Sequence, residues 1–540
     1  MSAIAIQSSP PAPDANERPA VYADRIGRLY ANGASQESKR EFGQFFTPVE
    51  IAEFMARLCQ TTAERVRALD PGAGAGVLSC ALCEALAARR GSLKEIDLVA
   101  YESDQRLTIH LDASLSYAKR WLLARGIKLR YQIKTDDFVL AQSPALNPEP
   151  SLFPLTNARE PEFDLVITNP PYFKISKSDP RARAASAVVH GQPNIYALFM
   201  AISAALLKPG GRMVCITPRS YTAGPYFQLF RDRFFDLMRP EAIHLFGSRR
   251  EAFGRDEVLQ ENLILLARRG DGWLAQGAKT EVEISFSHGA HDIHQAGRRR
   301  LPLVDVLDSR NRARVLQIPL FSEDDQAVSL VRSWSGNLHT YGLEISTGPV
   351  VPFRAEPLLS RSGQIDKTHA PLLWMHNVTA MRAQWPVENR NKEQYIIMSR
   401  ESKPLLVSNR NYVLLRRFSA KEARRRLIAA PYLASQLDSS HIGLENHLNY
   451  VHRPGGSLSE TEAYGLAALL NSSVIDTYFR TFNGNTQISA TELRTMPLPP
   501  LKLIRTLGAR AMTDNPDLAS LDDLIDGMFV NCRGDVNGEG

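Results

Sequence analysis

The segment 164–173 holds four consecutive residues whose types and spacing could form a reaction centre. It has the sequence Asp-Leu-Val-Ile-Thr-Asn-Pro-Pro-Tyr-Phe, an apolar run followed by Asn169, Pro170, Pro171 and Tyr172. A planar aromatic amine is a poor nucleophile because its lone pair is delocalised. Acceptors directed at its hydrogens, such as the Asn169 side-chain oxygen and the Pro170 carbonyl, would favour the localised form. The prolines keep the turn rigid and Tyr172 offers a ring for stacking. The tetrapeptide therefore predicts chemistry on a planar amine that needs no metal ion; a plain loop turn is the alternative.

Three predicted strand ends upstream carry a second group of candidate ligands. They are Asp70, Gly72, Gly74, Gly76, Glu102, Asp137 and Phe138. The glycines let backbone approach a ligand, and the N-terminus of the following helix adds donors. Glu102 offers two carboxylate oxygens to a pair of ribose hydroxyls. A carboxylate at Asp137 can accept from an adenine amino group, with Phe138 covering the purine face. Together they predict an adenosine pocket, although each acid alone could be a solvated loop charge.

The order of these motifs resembles that of the class I S-adenosylmethionine-dependent methyltransferases. The segment 42–48, Phe-Gly-Gln-Phe-Phe-Thr-Pro, is similar to the motif that covers the methionine end of the cofactor in DNA amino-methyltransferases. The resemblance implies that S-adenosyl-L-methionine is the cofactor. It also implies that Phe46 and Thr47 lie near the cofactor and that Asn169 borders it.

The arrangement of lid, cofactor loop, tetrapeptide and long C-terminal region resembles the adenine-N6 DNA methyltransferases of restriction–modification systems. The likeness is strong over 42–270 and weaker to about Leu501. It implies methyl transfer to the exocyclic amino group of adenine in a specific double-stranded DNA sequence. It also implies protection from a cognate restriction endonuclease, which would be a separate chain. Family members place a further aromatic ring on the far face of the base, for which Phe253 is the candidate and Phe246 the competitor.

Alternating strand and helix patterns indicate the frame that must position these residues. The predicted strands are Val66–Asp70, Asp97–Tyr101, Lys128–Lys134, Phe163–Thr168, Met213–Thr217, Ala242–Phe246 and Asn262–Ala267. The predicted helices include Val77–Arg89, Gln105–Leu123, Ile195–Leu207 and Tyr226–Met238, with a further helix capped by Thr47 and begun by Pro48. This alternation predicts an α/β fold, a Rossmann-like, seven-stranded, mostly parallel sheet with helices on both faces. Each motif then falls at a strand end, where such sheets bind ligands.

Composition and charge suggest two domains with a segment at each end. We predict a disordered leader over 1–19, a methyltransferase domain over 20–275, a mixed α/β target recognition domain over 318–505 and a polar tail over 506–540. Between Ser287 and Arg505 there are 27 Lys/Arg and 19 Asp/Glu, so the basic excess of the chain lies there. A basic half favours a polyanion partner, and Arg416 and Arg417 are the candidates for DNA backbone contacts, whereas the three arginines at 424–426 are more typical of a solvated helix face. Solvated charged faces would explain the same excess.

Several classes of protein are disfavoured. The chain has no signal-peptide pattern, and its longest nearly apolar run, Tyr196–Leu207, is too short to cross a bilayer. Its five cysteines form no disulfide framework. We therefore predict a cytoplasmic protein without a membrane partner. We predict no metal site, because the histidines at 288, 291 and 294 have no Cys or paired carboxylate at ligand spacing.

Two alternative functions stay open at this point. The same tetrapeptide occurs in enzymes that methylate RNA adenine or a protein glutamine amide, whose nitrogen poses the same chemical problem. Those chains are usually short after the catalytic strands, whereas this one continues for over 200 residues beyond Gly270. The other alternative is a non-catalytic DNA-binding defence component that retains the fold, which the intact tetrapeptide and acidic pocket oppose.

Overall fold

A computed structural model of the chain describes residues 10–33, 46–89, 93–146, 162–189, 193–247, 262–276, 280–307, 314–387, 392–420, 423–484, 486–514 and 516–530. The chain divides into two compact units, Met1–Ile318 and Pro319–Gly540.

One sheet organises the first unit. Its strands are β1 (Arg65–Asp70), β2 (Glu95–Tyr101), β3 (Lys128–Lys134), β4 (Phe163–Thr168), β5 (Leu207–Pro218), β6 (Met238–Phe246), β7 (Asn262–Arg269), β8 (Glu281–Ser287) and β9 (Gly297–Pro302). Their order across the sheet is β3-β2-β1-β4-β5-β7-β6-β8-β9. The first five strands pair in parallel, and β7 runs antiparallel to both of its neighbours. The order reverses between β1 and β4, so the carboxyl ends of these two strands lie side by side, where α/β sheets bind ligands.

Helices connect these strands and pack on the sheet. They are α1 (Pro19–Gly33), α2 (Val49–Leu58), α3 (Val77–Ala87), α4 (Gln105–Leu123), α5 (Phe138–Gln142), α6 (Pro180–Ala184), α7 (Ile195–Leu206), α8 (Gln228–Leu237) and α9 (Leu303–Val306). Apolar faces of α2, α3 and α4 form one buried cluster with the inward residues of β1 and β2. This packing fixes the strand ends from which the candidate site is built.

The predicted α/β fold is confirmed, and the sheet is wider than predicted. All seven predicted strands are present, and β8 and β9 extend the sheet beyond residue 275, where the predicted domain ends. The β9 strand was missed because its Gly-Arg-Arg-Arg sequence lacks an apolar alternation. Edge strands tolerate such charge, and Arg298 pairs with Glu283 of β8 at 3.2 Å.

The N-terminal part of the chain differs from its prediction at two points. Residues 10–18 belong to the fold: the Tyr22 hydroxyl donates to the Pro11 carbonyl at 2.9 Å, and Arg18 pairs with Glu84 at 3.1 Å. Thr47 is not the cap of the next helix, because α2 begins at Val49 with Pro48 in the cap position and no side-chain cap bond.

Three sheets and several helices form the second unit. Its strands are β10 (Glu344–Thr347), β11 (Leu359–Ser360), β12 (His369–Leu373), β13 (Val378–Thr379), β14 (Arg382–Ala383), β15 (Tyr395–Ile397), β16 (Leu406–Ser408), β17 (Tyr412–Arg416), β18 (Ala429–Tyr432), β19 (His441–Leu444) and β20 (Leu448–His452). Four of these strands form an antiparallel sheet in the order β10-β20-β17-β18, five form the sheet β11-β15-β12-β19-β16, and β13 pairs with β14. The helices are α10 (Ser322–Ser333), α11 (Pro352–Ala355), α12 (Glu460–Asn471), α13 (Ser473–Phe482), α14 (Ala490–Arg494), α15 (Leu501–Asp514) and α16 (Leu518–Ile525).

Helix α15 packs tightly against α12, so the predicted peripheral tail from residue 506 is wrong for this helix. A Cβ added at Gly465 would lie 1.9 Å from the Ile504 carbonyl oxygen, and one at Gly508 would lie 1.9 Å from that of Thr461. Only glycine allows two helix backbones to approach so closely. The polar composition concealed this contact because it depends on two small residues rather than on an apolar stripe.

No helix in the described part of the chain is long and apolar enough to cross a membrane.

Candidate active site

A cavity of about 420 Å³ opens at the carboxyl ends of β1, β2 and β4. The predicted site residues among its lining are Phe46, Gly72, Gly74, Glu102, Asp137, Phe138, Asn169 and Pro171. The residues that the sequence analysis did not assign are Pro71, Tyr101, Ser103, Asp136, Phe173, Arg181, Ile195 and Phe199. The structure thus brings the glycine-rich loop, the two acidic strand ends and the tetrapeptide to one place. Asp70, Gly76, Thr47, Pro170 and Tyr172 are outside this lining.

Asn169 is held from two sides at the edge of the cavity. Its Nδ2 donates to Thr47 Oγ1 at 3.0 Å, and its Oδ1 accepts from the Tyr172 hydroxyl at 2.6 Å. Thr47 is only 5% exposed, so this contact is sheltered from water. A side-chain carbonyl has two lone pairs, so Asn169 Oδ1 can accept from more than one donor. Thr47 therefore contacts the tetrapeptide, a role that the sequence analysis did not assign to it.

The Tyr172 side chain is oriented by its own hydrogen bonds. Its hydroxyl oxygen also lies 3.1 Å from the Ile216 carbonyl oxygen of β5. Burial raises the pKa of Tyr172 well above its ordinary value, so its hydroxyl stays protonated and can act as a donor. The ring meets that of Tyr196 edge-on, with centroids 6.3 Å apart.

Glu102 places a buried carboxylate on the cavity wall. Its Oε2 accepts from the Gly74 N–H at 2.9 Å and its Oε1 from the Asp104 N–H at 2.7 Å. Burial raises the pKa of Glu102 to about 7, against the opposing effect of these two donors. The carboxylate thus joins the glycine-rich loop to the end of β2 and keeps lone pairs for further donors. Asp104 is engaged elsewhere, accepting from the Tyr30 hydroxyl at 2.7 Å and from Arg106.

Asp70 and Gly76 shape the glycine-rich loop from behind. The Asp70 carboxylate is fully buried and accepts from the Ser79 hydroxyl of α3 at 2.7 Å. Burial raises the pKa of Asp70 to about 7. Gly76 has φ +91° at the start of α3, where an added Cβ would lie 3.0 Å from Leu111 Cδ1. Both residues hold the loop in shape and do not line the cavity.

The third strand end forms the opposite wall. Asp137 caps α5 by accepting from the Leu140 N–H at 3.0 Å. The Phe138 ring is buried between those of Tyr101 and Phe199, with centroid distances of 5.1 and 5.0 Å. An aromatic floor beside a carboxylate suits a purine with an exocyclic amine.

Arg181, which the sequence analysis missed, covers this end of the cavity. It forms a forked pair with Asp179 at 2.9 and 2.8 Å, and its guanidinium lies 3.8 Å from Asp137 Oδ2. Its charged group also stands 5.6 Å from the centroid of the Phe173 ring. The Asp179–Pro180 pair, a helix cap followed by proline, was the available signal for a short helix here. Nothing in that pattern indicated that the helix reaches the cavity.

Two residues, Phe253 and Phe246, are the predicted candidates for the aromatic ring on the far face of the base. Phe253 lies outside the described part of the chain. Phe246 is 1% exposed and packs edge-on against His244, with centroids 4.7 Å apart. It is a core residue and is closed to a substrate.

Several arginines of the basic clusters already bind other residues of the second unit, although Arg424 is exposed. Arg416 Nε donates to the Val378 carbonyl at 2.6 Å, and Arg417 to the Asn446 carbonyl at 2.9 Å. Arg426 is 2% exposed and contacts Ser419 and Asn483. Arg416 and Arg417 are half-buried and each already donates to a main-chain carbonyl, so a DNA backbone contact from either would have to use its remaining N–H groups and stays a prediction.

The parts of the cavity fit S-adenosyl-L-methionine. A Cβ added at Gly72 would lie 3.7 Å from the Asn169 carbonyl oxygen, which places this glycine beside the tetrapeptide at the junction of β1 and β4. Glu102 has carboxylate oxygens that would suit the ribose hydroxyls, and Asp137 and Phe138 would suit the adenine. S-adenosyl-L-methionine is the expected cofactor. Phe46 stands over Gly74 at the same opening, since a Cβ added at Gly74 would lie 3.6 Å from the Phe46 ring.

A switch-point sheet with a glycine-rich loop and Asn-Pro-Pro-Tyr at neighbouring strand ends is the architecture of a class I methyltransferase. Residues 114–253 match the family described as Eco57I restriction-modification methylase. Over 508 residues the chain is 32% identical to the type II methyltransferase M.BsuBI of Bacillus subtilis, covering 93% of this chain and 96% of that protein. It is 30% identical over 499 residues to the type II methyltransferase M.PstI of Providencia stuartii, covering 92% and 95%. The chain therefore belongs to the type II methyltransferases of restriction–modification systems.

One solved structure extends the comparison. The type IIG restriction endonuclease BpuSI is 16% identical, with a TM-score of 0.41, and the match covers 94% of this chain and 65% of that one. The present chain thus spans about two thirds of the length of that enzyme.

Proposed function

We propose that the protein transfers a methyl group from S-adenosyl-L-methionine to the N6 amino group of adenine in a specific duplex DNA sequence. The observation that carries this proposal is the placement of Asn169. Its side chain is fixed by Thr47 and Tyr172 at the edge of a cavity suited to adenosine.

The role of the tetrapeptide follows from its hydrogen-bonding capacity. Asn169 Oδ1 can accept one amino hydrogen of the target base, and the Pro170 carbonyl is the acceptor for the other. These two contacts would favour the pyramidal nitrogen and direct its lone pair toward the cavity. The bound cofactor supplies an activated methyl group on a sulfonium, which is a good leaving group. Tyr172 orients Asn169 through its hydroxyl and offers its ring to the base.

The DNA partner and the biological role belong to the same proposal. A duplex binder must extrude its target base to reach such a cavity, and it needs a second surface to hold the DNA. We assign that surface to the second unit, within 318–505. Methylation would then protect the site from a separate cognate endonuclease, as the restriction–modification family suggests.

The direct test is transfer of a deuterated methyl group from S-adenosyl-L-methionine to pooled duplex DNA, followed by mass spectrometry of the nucleosides. We expect labelled N6-methyladenine from the unchanged protein. We expect a loss of about 100-fold or more in Asn169→Ala, by analogy with the removal of one preorganised polar contact. Cofactor affinity, measured by calorimetry, should change little in the same variant. Label in N4-methylcytosine, RNA or a protein amide would redirect the proposal to that substrate, and an active Asn169→Ala protein would contradict the catalytic role.

A further inference from the structure

A small concave surface of the second unit presents polar side chains that no internal contact uses. It has a volume of about 190 Å³, and its polar rim is formed by Arg382, Gln384 and Gln436. All three are exposed. Within the described ranges, none of these side chains makes a hydrogen bond or ion pair. Trp385 and Tyr432 form its aromatic back. We call this set of five residues the rim site.

The backbone under the rim site is firmly held. Strands β13 and β14 form a short hairpin in which Val378 pairs with Ala383 and Thr379 with Arg382. The Asn377 side chain locks its base, accepting from the Trp374 N–H and donating to the Gln384 carbonyl, both at 2.7 Å. Rigid backbone beneath free polar ends is the arrangement required of a recognition site.

The aromatic residues behind the rim are anchored as well. The Trp385 ring N–H donates to the Gln394 carbonyl at 3.1 Å, and the Tyr432 hydroxyl donates to Asn409 Oδ1 at 2.7 Å. Their polar atoms are thereby occupied, and their rings form a fixed wall. Of the five residues of the rim site, Arg382, Gln384 and Gln436 keep their side-chain polar atoms available to a partner.

Two rim residues come from one short segment of the chain. Arg382 and Gln384 are exposed, whereas Ala383 and Trp385, which line the same concave surface, are half-buried. Gln436, from the turn after β18, lines the same surface. One arginine and two glutamines therefore converge from two segments.

These residue types match the edges of bases. An arginine guanidinium can donate two parallel hydrogen bonds to guanine O6 and N7, and a glutamine amide can bond adenine N6 and N7. The arginines at 416, 417 and 426 are less suited to this, because each is at least half-buried and already donates to other residues of the chain. The side chains of Arg382, Gln384 and Gln436 can form such hydrogen bonds to base edges.

We propose that Arg382, Gln384 and Gln436 determine the DNA sequence that is methylated, by contacting base edges in the major groove. This inference rests on the proposed function, since it names residues that select the substrate of that reaction. It concerns base contacts rather than backbone contacts, so it predicts a change in the identity of the methylated sequence.

The experiment profiles methylation of a pool of random duplex DNA by the full-length protein and locates N6-methyladenine by sequencing. Arg382→Ala and Gln384→Ala are compared with Arg400→Ala, an exposed arginine that lies outside the rim site. We expect each rim variant to lose about 10- to 100-fold of discrimination at one base pair of the recognised sequence. Arg400→Ala should keep the original sequence, and all the variants should bind S-adenosyl-L-methionine like the unchanged protein.

The outcomes separate the two proposals. If the unchanged protein methylates no DNA, the proposed function fails. If it methylates a defined sequence and the rim variants keep that sequence at every position, the rim proposal is overturned. A uniform loss of binding with a shallower salt dependence would also overturn it, because that is the behaviour of a phosphate contact.

Discussion

Replacing Thr47 by valine tests how the lid segment and the tetrapeptide act together. Valine keeps the shape of threonine but removes the oxygen that lies 3.0 Å from Asn169 Nδ2. The amide N–H would be left without this partner in a site where Thr47 is 5% exposed. An unsatisfied buried donor costs about 1–3 kcal/mol, and the lower end applies here because Asn169 is half-buried. Thr47 is a positioning residue in this interpretation, because it acts through Asn169.

Asn169 Oδ1 must be aligned with the target amine in the transition state, so we expect this cost to appear in the barrier to methyl transfer. Each 1.36 kcal/mol on the barrier is about tenfold in rate. The Tyr172 hydroxyl, 2.6 Å from Asn169 Oδ1, should still hold the side chain in the variant, so we expect the lower part of the range. The methyl-transfer rate of Thr47→Val should therefore fall about 10-fold.

Single-turnover methylation with saturating cofactor and DNA measures that step without product release. The matched control is Thr47→Ser, which retains the hydroxyl and should recover most of the rate. Cofactor affinity should stay within about threefold in both variants, because Thr47 is not among the residues that line the cavity. A Thr47→Val rate within twofold of the unchanged protein would refute the positioning role. A large loss of cofactor affinity would instead make Thr47 a direct ligand.

Three further changes test other parts of the two units. The pKa of Glu102 is about 7, and ionisation strengthens it as an acceptor for ribose hydroxyls, so cofactor affinity should rise from pH 6 to pH 8. Glu102→Gln should flatten that calorimetric profile, and an unchanged profile would place the ribose elsewhere. Asp137→Ala should weaken cofactor binding about tenfold, because one hydrogen bond to a charged group is lost. Asp136→Ala should weaken it less, and the reverse order would exchange the roles of these two aspartates. Gly508→Ala should lower the free energy of unfolding by about 1–3 kcal/mol, because the added methyl group overpacks the helix contact. Gly527→Ala should not lower it, since the space around its Cβ is open. Equal denaturation midpoints for the two variants would contradict the helix contact.

The parts of the fold that depend on local pattern could be predicted from the sequence. The strands that end at Asp70, Tyr101 and Thr168 have largely apolar sequences followed by turn residues, the strand that ends at Lys134 alternates apolar and polar residues, and the sheet order brings these ends together. The position of Asn169 at the edge of the cavity could be predicted because the four residues of the tetrapeptide are contiguous and follow a strand.

Contacts between distant segments could not be predicted in this way. Thr47 and Asn169 are 122 positions apart, and nothing in either segment indicates a hydrogen bond between them. Arg181 lines the cavity because of the path of the chain after the tetrapeptide. The arginines at 416 and 417 show the same limit, since a basic pair has the same sequence whether it contacts solvent or main-chain carbonyls.

The contact between Gly465 and Gly508 affects how the protein is made. One face of helix α12 stays uncovered until the residues of α15, which ends at Asp514, have left the ribosome. The last residue of the first unit, Ile318, is synthesised about 10–40 s earlier at about 5–20 residues per second. Helix α12 itself ends at Asn471, so its partner surface has no cover while residues 472–514 are made, about 2–9 s at the same rate. Fragments that stop between Asn471 and Leu501 would keep this surface bare and should therefore be targets for chaperones and proteases, whereas the first unit can be complete.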